Sequence, residues 1–181
     1  MPGLKVYFGP ADDLPRNMLD EGLSLELTLD TDPRIVSITR RFVEQAMEKL
    51  VDDADAVFRV AMAAHELLEN AAKYAENRQA SLALRLEPNG DGGRQAVLTM
   101  TNQTSPDHIA RLKQNFAEMN TREDPYDYYF ELMRRNASDT TTSGLGLARI
   151  RAEGEMRLAF DAVGTQVLIR ATAQIPERRA P

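Results

Sequence analysis

The sequence predicts an α+β fold, a two-layer α/β sandwich whose mixed, mainly antiparallel sheet carries its helices over one face. Three observations predict it. Ser81 to Leu86 and Ala96 to Thr101 flank the turn Pro88-Asn89-Gly90-Asp91-Gly92-Gly93, and Met156 to Ala162 and Gln166 to Thr172 flank Val163-Gly164-Thr165, so each pair reads as a hairpin. From about Ala56 to Glu76, apolar residues recur at three- and four-residue steps, which reads as a long helix. Helices and hairpins are grouped along the chain, whereas a doubly wound parallel sheet would alternate them.

The elements follow in order. Leu4 to Phe8 is a short extended candidate ending at Gly9-Pro10, and the polar stretch Ala11 to Gly22 reads as a connection. Leu23 to Leu29 alternates Leu with Ser, Glu and Thr, the period of a half-buried strand. Asp30, Thr31 and Asp32 offer N-cap side chains, with Pro33 near the first helical position. Ile35, Ile38, Phe42, Val43, Ala46, Met47 and Leu50 then trace one wide apolar helix face. The second helix turns Val57, Val60, Ala61, Ala64, Leu68, Ala71, Ala72 and Ala75 to the core. After the first hairpin, Ile109 to Met119 and Tyr126 to Met133 read as two helices parted by Asp124-Pro125. Asn136 to Gly144 is expected to be a mobile loop. A short helix from about Gly146 to Glu153 stops at Gly154. The expected organisation is one domain over 1–181, with its core at about 23–175, an N-terminal strand and loop over 1–22, and a frayed tail over 176–181.

Composition narrows the function. With 43% hydrophobic and 28% charged residues the 181-residue chain reads as an ordinary globular domain. It has no cysteine, which excludes disulfides and thiolate metal sites. The net charge of −6 gives no broad positive field for a phosphate backbone, so no nucleic acid is expected as partner. No apolar run approaches the roughly 20 residues of a membrane-spanning helix, so no membrane is expected either. Met1-Pro2-Gly3-Leu4-Lys5 leads into no signal-peptide core, and a cytoplasmic location is expected.

Two stretches could carry chemistry. On the second helix Glu66, Asn70, Lys73 and Asn77 fall on one face at steps of four, three and four. An amphipathic helix has a polar face in any case, so spacing alone leaves a solvated face as the alternative. Asn70 argues against it, since Asn adds no stability to a helix interior. A carboxylate one turn before a carboxamide can accept a proton from a nucleophile while the carboxamide presents oxygen to Mg²⁺. The second stretch is Thr140-Thr141-Thr142-Ser143-Gly144-Leu145-Gly146-Leu147. Glycines before a helix let backbone N–H groups approach an anion, and nearby hydroxyls add donors. A flexible loop ending in an N-cap is the alternative. No P-loop and no strand-borne dinucleotide fingerprint occurs.

In this order, His65-Glu66-Leu67-Leu68-Glu69-Asn70-Ala71-Ala72-Lys73-Tyr74 resembles the N box of the histidine-kinase-like ATPases. Ser143-Gly144-Leu145-Gly146-Leu147 resembles their second glycine box. The resemblance runs from the strand at Leu23 through the final hairpin. It is nearest to the stand-alone bacterial serine/threonine kinases of partner-switching systems, the anti-sigma-factor kinases and their relatives. It implies the Bergerat ATP-binding fold and the ligands ATP and Mg²⁺. It places Glu66 as general base, Asn70 as Mg²⁺ ligand, and Lys73 and Tyr74 near the phosphates or the sugar. Gly144, Leu145 and Gly146 would give backbone donors to the phosphates, with Thr142, Ser143 and Leu147 completing the box. The departure is the first glycine box. Where the family has Asp and two glycines, this chain reads Asn102-Gln103-Thr104-Ser105-Pro106, leaving Asn102 and Thr104 as the candidates at the adenine end. A neutral acceptor makes a weaker hydrogen bond than a carboxylate, and the missing glycines restrict the chain's path past the base.

The implied partner is a small anti-sigma-factor antagonist-like protein or other regulatory protein, and a homodimer stays open. Two rival readings accompany the kinase: a nucleotide-free adaptor of the same fold, and a detached histidine-kinase catalytic domain, which lacks a visible phosphoacceptor hairpin. Among the other residues, His65 is a conceivable phosphoacceptor and His108 reads as a helix-start residue. Tyr126, Tyr128, Tyr129 and Phe130 read as lid-helix packing, with partner docking as the alternative. Of the arginines, Arg149 and Arg151, just after the glycine box, are the candidates to reach phosphates, ahead of Arg134 and Arg135.

Overall fold

In the computed structural model, residues 5–6, 24–90, 93–138 and 144–176 are described. Six strands form one sheet: β1 (Lys5–Val6), β2 (Ser24–Asp30), β3 (Gln79–Pro88), β4 (Arg94–Gln103), β5 (Arg157–Val163) and β6 (Gln166–Ile175). Their order is β1-β2-β3-β4-β6-β5. The expected mixed, mainly antiparallel sheet is antiparallel at every described pairing. Five helices complete the fold: α1 (Pro33–Glu48), α2 (Ala54–Tyr74), α3 (Pro106–Asn120), α4 (Pro125–Ser138) and α5 (Leu145–Ala152). The expected α+β sandwich is the observed one.

Strand alternation decides which face is covered. Leu84 sits opposite Leu98, and Leu98 opposite Ala171, so three strands present aligned apolar residues to one side. All three are fully buried. On the other side Glu26, Ser81, Arg85, Thr99, Thr101 and Arg170 line an open surface. Both expected hairpins form, with β3 and β4 each extending beyond the sequence-predicted bounds.

Helix α2 is the hub, packing on α1, on α5 and on strands β3, β4 and β6. That explains its burial on most sides and its alanines: Ala56, Ala63, Ala64 and Ala71 let neighbours approach closely, while Val60 and Leu67 fill between them. The helix starts are set locally. Asp32 accepts from Arg34 N at 2.8 Å, Asp53 from Ala56 N at 2.7 Å and Ser105 from His108 N at 3.2 Å, the two part-buried caps, Asp53 and Ser105, each worth about 1 kcal/mol. His108 is thereby a helix-start residue, as expected.

Three expectations are corrected. Of the apolar face expected on α1, Val43 and Met47 are buried and Ile35 and Phe42 pack against the core, whereas Ile38 is 60% exposed and Leu50, past the helix end, 44%. Val36 and Thr39 complete the buried stripe. Helix α2 ends at Tyr74, so Asn77 leaves the polar face and its Oδ1 accepts from Gln79 N at 3.1 Å in the turn into β3. Helix α4 runs on to Ser138, into the segment expected as loop, and the rest of that loop before Gly144 lies outside the described residues. No helix among the described residues is long and apolar enough to cross a membrane.

Candidate functional site

Where the polar face of α2 meets the N-terminal end of α5, a cleft of about 640 Å³ opens, closed at its sides by the start of α1 and by α4. Small-molecule sites are commonly roughly 300–1,000 Å³. Glu66, Asn70, Lys73, Tyr74, Gly144, Leu145 and Gly146 all line it, so the structure brings the two sequence stretches together. Gly144 precedes α5 at φ 103°, a conformation that suits glycine. Among the described residues no side chain caps this helix start, which leaves its first-turn N–H groups without a side-chain partner there.

The remaining candidates divide. Leu147 is buried at 2% exposure and serves the core. Asn102 and Thr104 do not line the cleft. The Asn102 amide donates to the Gln103 carbonyl at 3.2 Å. Thr104 is buried, its hydroxyl donating to the Tyr74 carbonyl at 2.7 Å and its N–H to the Thr165 carbonyl at 2.9 Å. Thr142 and Ser143 lie outside the described residues.

A four-residue network crosses the cleft. Arg149 donates through Nη1 to Glu66 Oε1 at 2.9 Å and through Nε to Glu153 Oε2 at 2.7 Å. Tyr129 Oη, from α4, donates to the other oxygen of Glu153 at 2.9 Å. The hydrogen bond from Arg149 holds the Glu153 carboxyl below its ordinary range. Burial, then the Glu153 contact, pushes the Tyr129 phenol up. Gly146 makes this approach fit: a Cβ there would lie 2.7 Å from Glu66 Oε2. Sequence reasoning singled out Arg149 but missed Tyr129 and Glu153 as its neighbours. Only the four-residue spacing of Arg149 and Glu153 signals any of it.

Arg151, singled out equally, is corrected: its guanidinium turns from the cleft and donates to the carbonyls of Met119 and Arg122 at the end of α3. Tyr128 and Tyr129 are buried and Tyr126 and Phe130 exposed, so the aromatic cluster packs with one half only. His65 pairs with Glu69 at 3.2 Å.

Two further features bear on ligands. The Asn70 amide nitrogen is buried with no hydrogen-bond partner among the described residues. A half-turn of the amide puts its oxygen in the same place, the two atoms being assigned rather than distinguished. Beside it Tyr74 stacks on His108, with ring centroids 3.8 Å apart and planes 18° apart. Lys73 Nζ lies 5.1 Å from the Tyr74 ring centroid. Burial, with Arg111 and Lys73 nearby, pushes the His108 pKa down to about 4. Among the described residues no group of three or more His, Asp or Glu could hold a metal ion.

Fold and cleft together define a class: an antiparallel two-layer sandwich with a polar cleft between its central helix and a glycine-led helix start. No protein-family model matches the chain, and no curated protein matches it. A solved structure does. The chain is similar to one in the crystal structure of the SiaB–SiaC complex from Pseudomonas aeruginosa, with a TM-score of 0.63 and 16% identity. The match covers 82% of this chain and 88% of that one. At such identity the likeness establishes the fold.

Proposed function

We propose that the chain is a cytoplasmic histidine-kinase-like ATPase of the partner-switching type, an ATP- and Mg²⁺-dependent kinase for Ser or Thr on a small regulatory protein. The observation that carries this reading is the amide nitrogen of Asn70, buried and without a partner among the described residues, in a cleft it shares with Glu66, Lys73 and the glycine-led start of α5. An unsatisfied buried polar group costs stability, and a ligand in the cleft would supply the missing partner. Asn70 is the residue that would hold Mg²⁺, which fits an ion that takes few protein ligands beside substrate phosphates. The first-turn amides of α5 and Lys73 would hold the phosphates. Bound Mg²⁺-ATP supplies the phosphoryl group and neutralises its charge. Glu66 takes the proton of the attacking hydroxyl. A chain of this fold having been solved in a two-protein complex, SiaB–SiaC, supports a protein partner.

A specific observation favours a second reading, the nucleotide-free adaptor. At the adenine end Asn102 is turned to its own backbone, Thr104 is buried, and Tyr74 is already stacked on His108. Isothermal titration with ATP and a nonhydrolysable analogue, with and without Mg²⁺, separates the two. The kinase reading expects Mg²⁺-dependent binding that Asn70→Ala abolishes without lowering the melting temperature, because Ala is the better helix former and leaves no unpartnered amide buried. No heat at millimolar nucleotide would leave the adaptor.

A further inference from the structure

One oxygen of Glu66 is engaged: Oε1 accepts from Arg149 at 2.9 Å, while Oε2 sits in the narrow space beside Gly146, where a Cβ would come within 2.7 Å of it. Glu66 is also the less exposed partner, its side chain 12% accessible against 37% for Arg149. A carboxylate held in this way is poorly placed to receive a proton from a hydroxyl brought by another molecule. Arg149 itself is held from two sides, by Glu66 on α2 and Glu153 on its own helix, with Tyr129 on α4 steadying Glu153. Of these groups, Glu66, Arg149 and Tyr129 line the cleft together with Lys73 and the α5 start.

We propose that Arg149 is a latch on Glu66, a positioning residue that releases the carboxylate when a polyphosphate enters the cleft. The inference rests on the phosphate-binding reading above. A guanidinium forks onto phosphate oxygens as readily as onto carboxylate. A polyphosphate carries more charge than Glu66 and competes for the same donors. Arg149 exchanges one anion for the other while Glu153 keeps its Nε in place, so the side chain swings without losing its anchor. Glu66 is then free only when the cleft is filled, and Tyr129 extends the change to α4.

Thermal melting of the full chain tests it, using a double-mutant cycle of Glu66→Gln, Arg149→Met and the double variant. Each is measured alone, with saturating Mg²⁺-ATP, and with Mg²⁺ and inorganic tripolyphosphate. Without ligand the two substitutions should be non-additive. Arg149→Met lowers the melting temperature by roughly 2–4 °C, the scale of one weak ion pair in a chain of this size, and the double variant melts no lower. With ligand the effects should become additive, and Glu66→Gln should show a larger ligand-induced shift than the parent, because Gln still accepts from Arg149 but competes for it without a charge. A merely structural Arg149 would give neither change. If Arg149→Met does not fold, Arg149→Lys, which keeps the charge and loses the fork, serves in the same cycle. Coupling that is the same with and without ligand, in a parent that ligand does stabilise, overturns the latch alone. A parent that neither ligand stabilises overturns the phosphate reading and the latch with it.

Discussion

Gly146 lies so near Glu66 that a side chain at that position would displace the carboxylate: a Cβ would meet Glu66 Oε2 at 2.7 Å, with Asn70 Nδ2 at 3.6 Å. The glycine spacing that resembles a phosphate box is thus also a packing requirement, and substitutions can separate the two roles.

Gly146→Ala should cost little stability. The obstructing atom is the end of a side chain, and Ala gains up to about 1 kcal/mol over Gly in a helix. Glu66 must move, however, and its ion pair with Arg149 breaks. Gly154→Ala should be far worse, since a Cβ there collides with the Ile150 carbonyl oxygen, which is backbone and cannot yield. Melting curves should place Gly146→Ala close to the parent and Gly154→Ala lower by about 1–3 kcal/mol, the range of overpacking. The reverse order would show that Glu66 cannot move aside.

Arg151 should matter for stability and not for ligands. It donates to two carbonyls at the C-terminal end of α3, and hydrogen bonds from charged groups contribute about 1.5–3 kcal/mol. Arg151→Met should lower the melting temperature while Mg²⁺-ATP affinity stays at the parental value. A loss of affinity at unchanged stability would return Arg151 to the cleft.

These two cases mark how far the sequence was legible. Hairpins, caps and the long α2 were readable because their signals are local: turn residues, Asp or Ser before the first turn, and apolar periodicity. The edge of the inward face of α1 was not, because Ile38 is as apolar as Val36 and yet is exposed, and only the neighbouring α2 chooses between them. Glu66 and Asn70 could be singled out from one helix face. The partner of Glu66 could not, since Arg149 is 83 positions away and looks no different in sequence from Arg151. Tyr129 parts from Phe130 for the same reason: alternation of buried and exposed residues on α4 is fixed by what packs above it.

His108 should make the fold acid-sensitive. Its pKa falls from 6.5 to about 4 on folding, chiefly through burial. Between those values the unfolded chain takes up a proton that the folded chain does not, so stability falls as pH drops through that window. Asp32 and Glu153, both held low in the fold, add losses mainly below their ordinary values of 3.8 and 4.5. His108→Phe keeps the stack on Tyr74 and removes the proton, so its stability should be flat from pH 6.5 to about 4.5 where the parent declines. Parallel profiles would rule out His108 as the cause.

The last prediction separates catalysis from binding and rests on Glu66. A general base acts on the proton of the attacking hydroxyl, which is no part of nucleotide recognition. Glu66→Gln preserves the shape of the side chain and can still accept from Arg149 Nη1, the donor now 2.9 Å from its Oε1. It cannot take up the proton. General-base catalysis commonly contributes ~10²–10⁴-fold, so phosphate transfer to the partner protein should fall by about that factor. Nucleotide affinity should not fall, because the residue that would hold Mg²⁺ is Asn70, one turn further along α2. The assay needs the partner, since the hydroxyl comes from it. Transfer at the parental rate would reduce Glu66 to a structural counter-ion for Arg149. A parent that binds its partner tightly and transfers no phosphate would make the cleft a docking feature of an adaptor, with the Glu66–Arg149 pair part of its fixed surface.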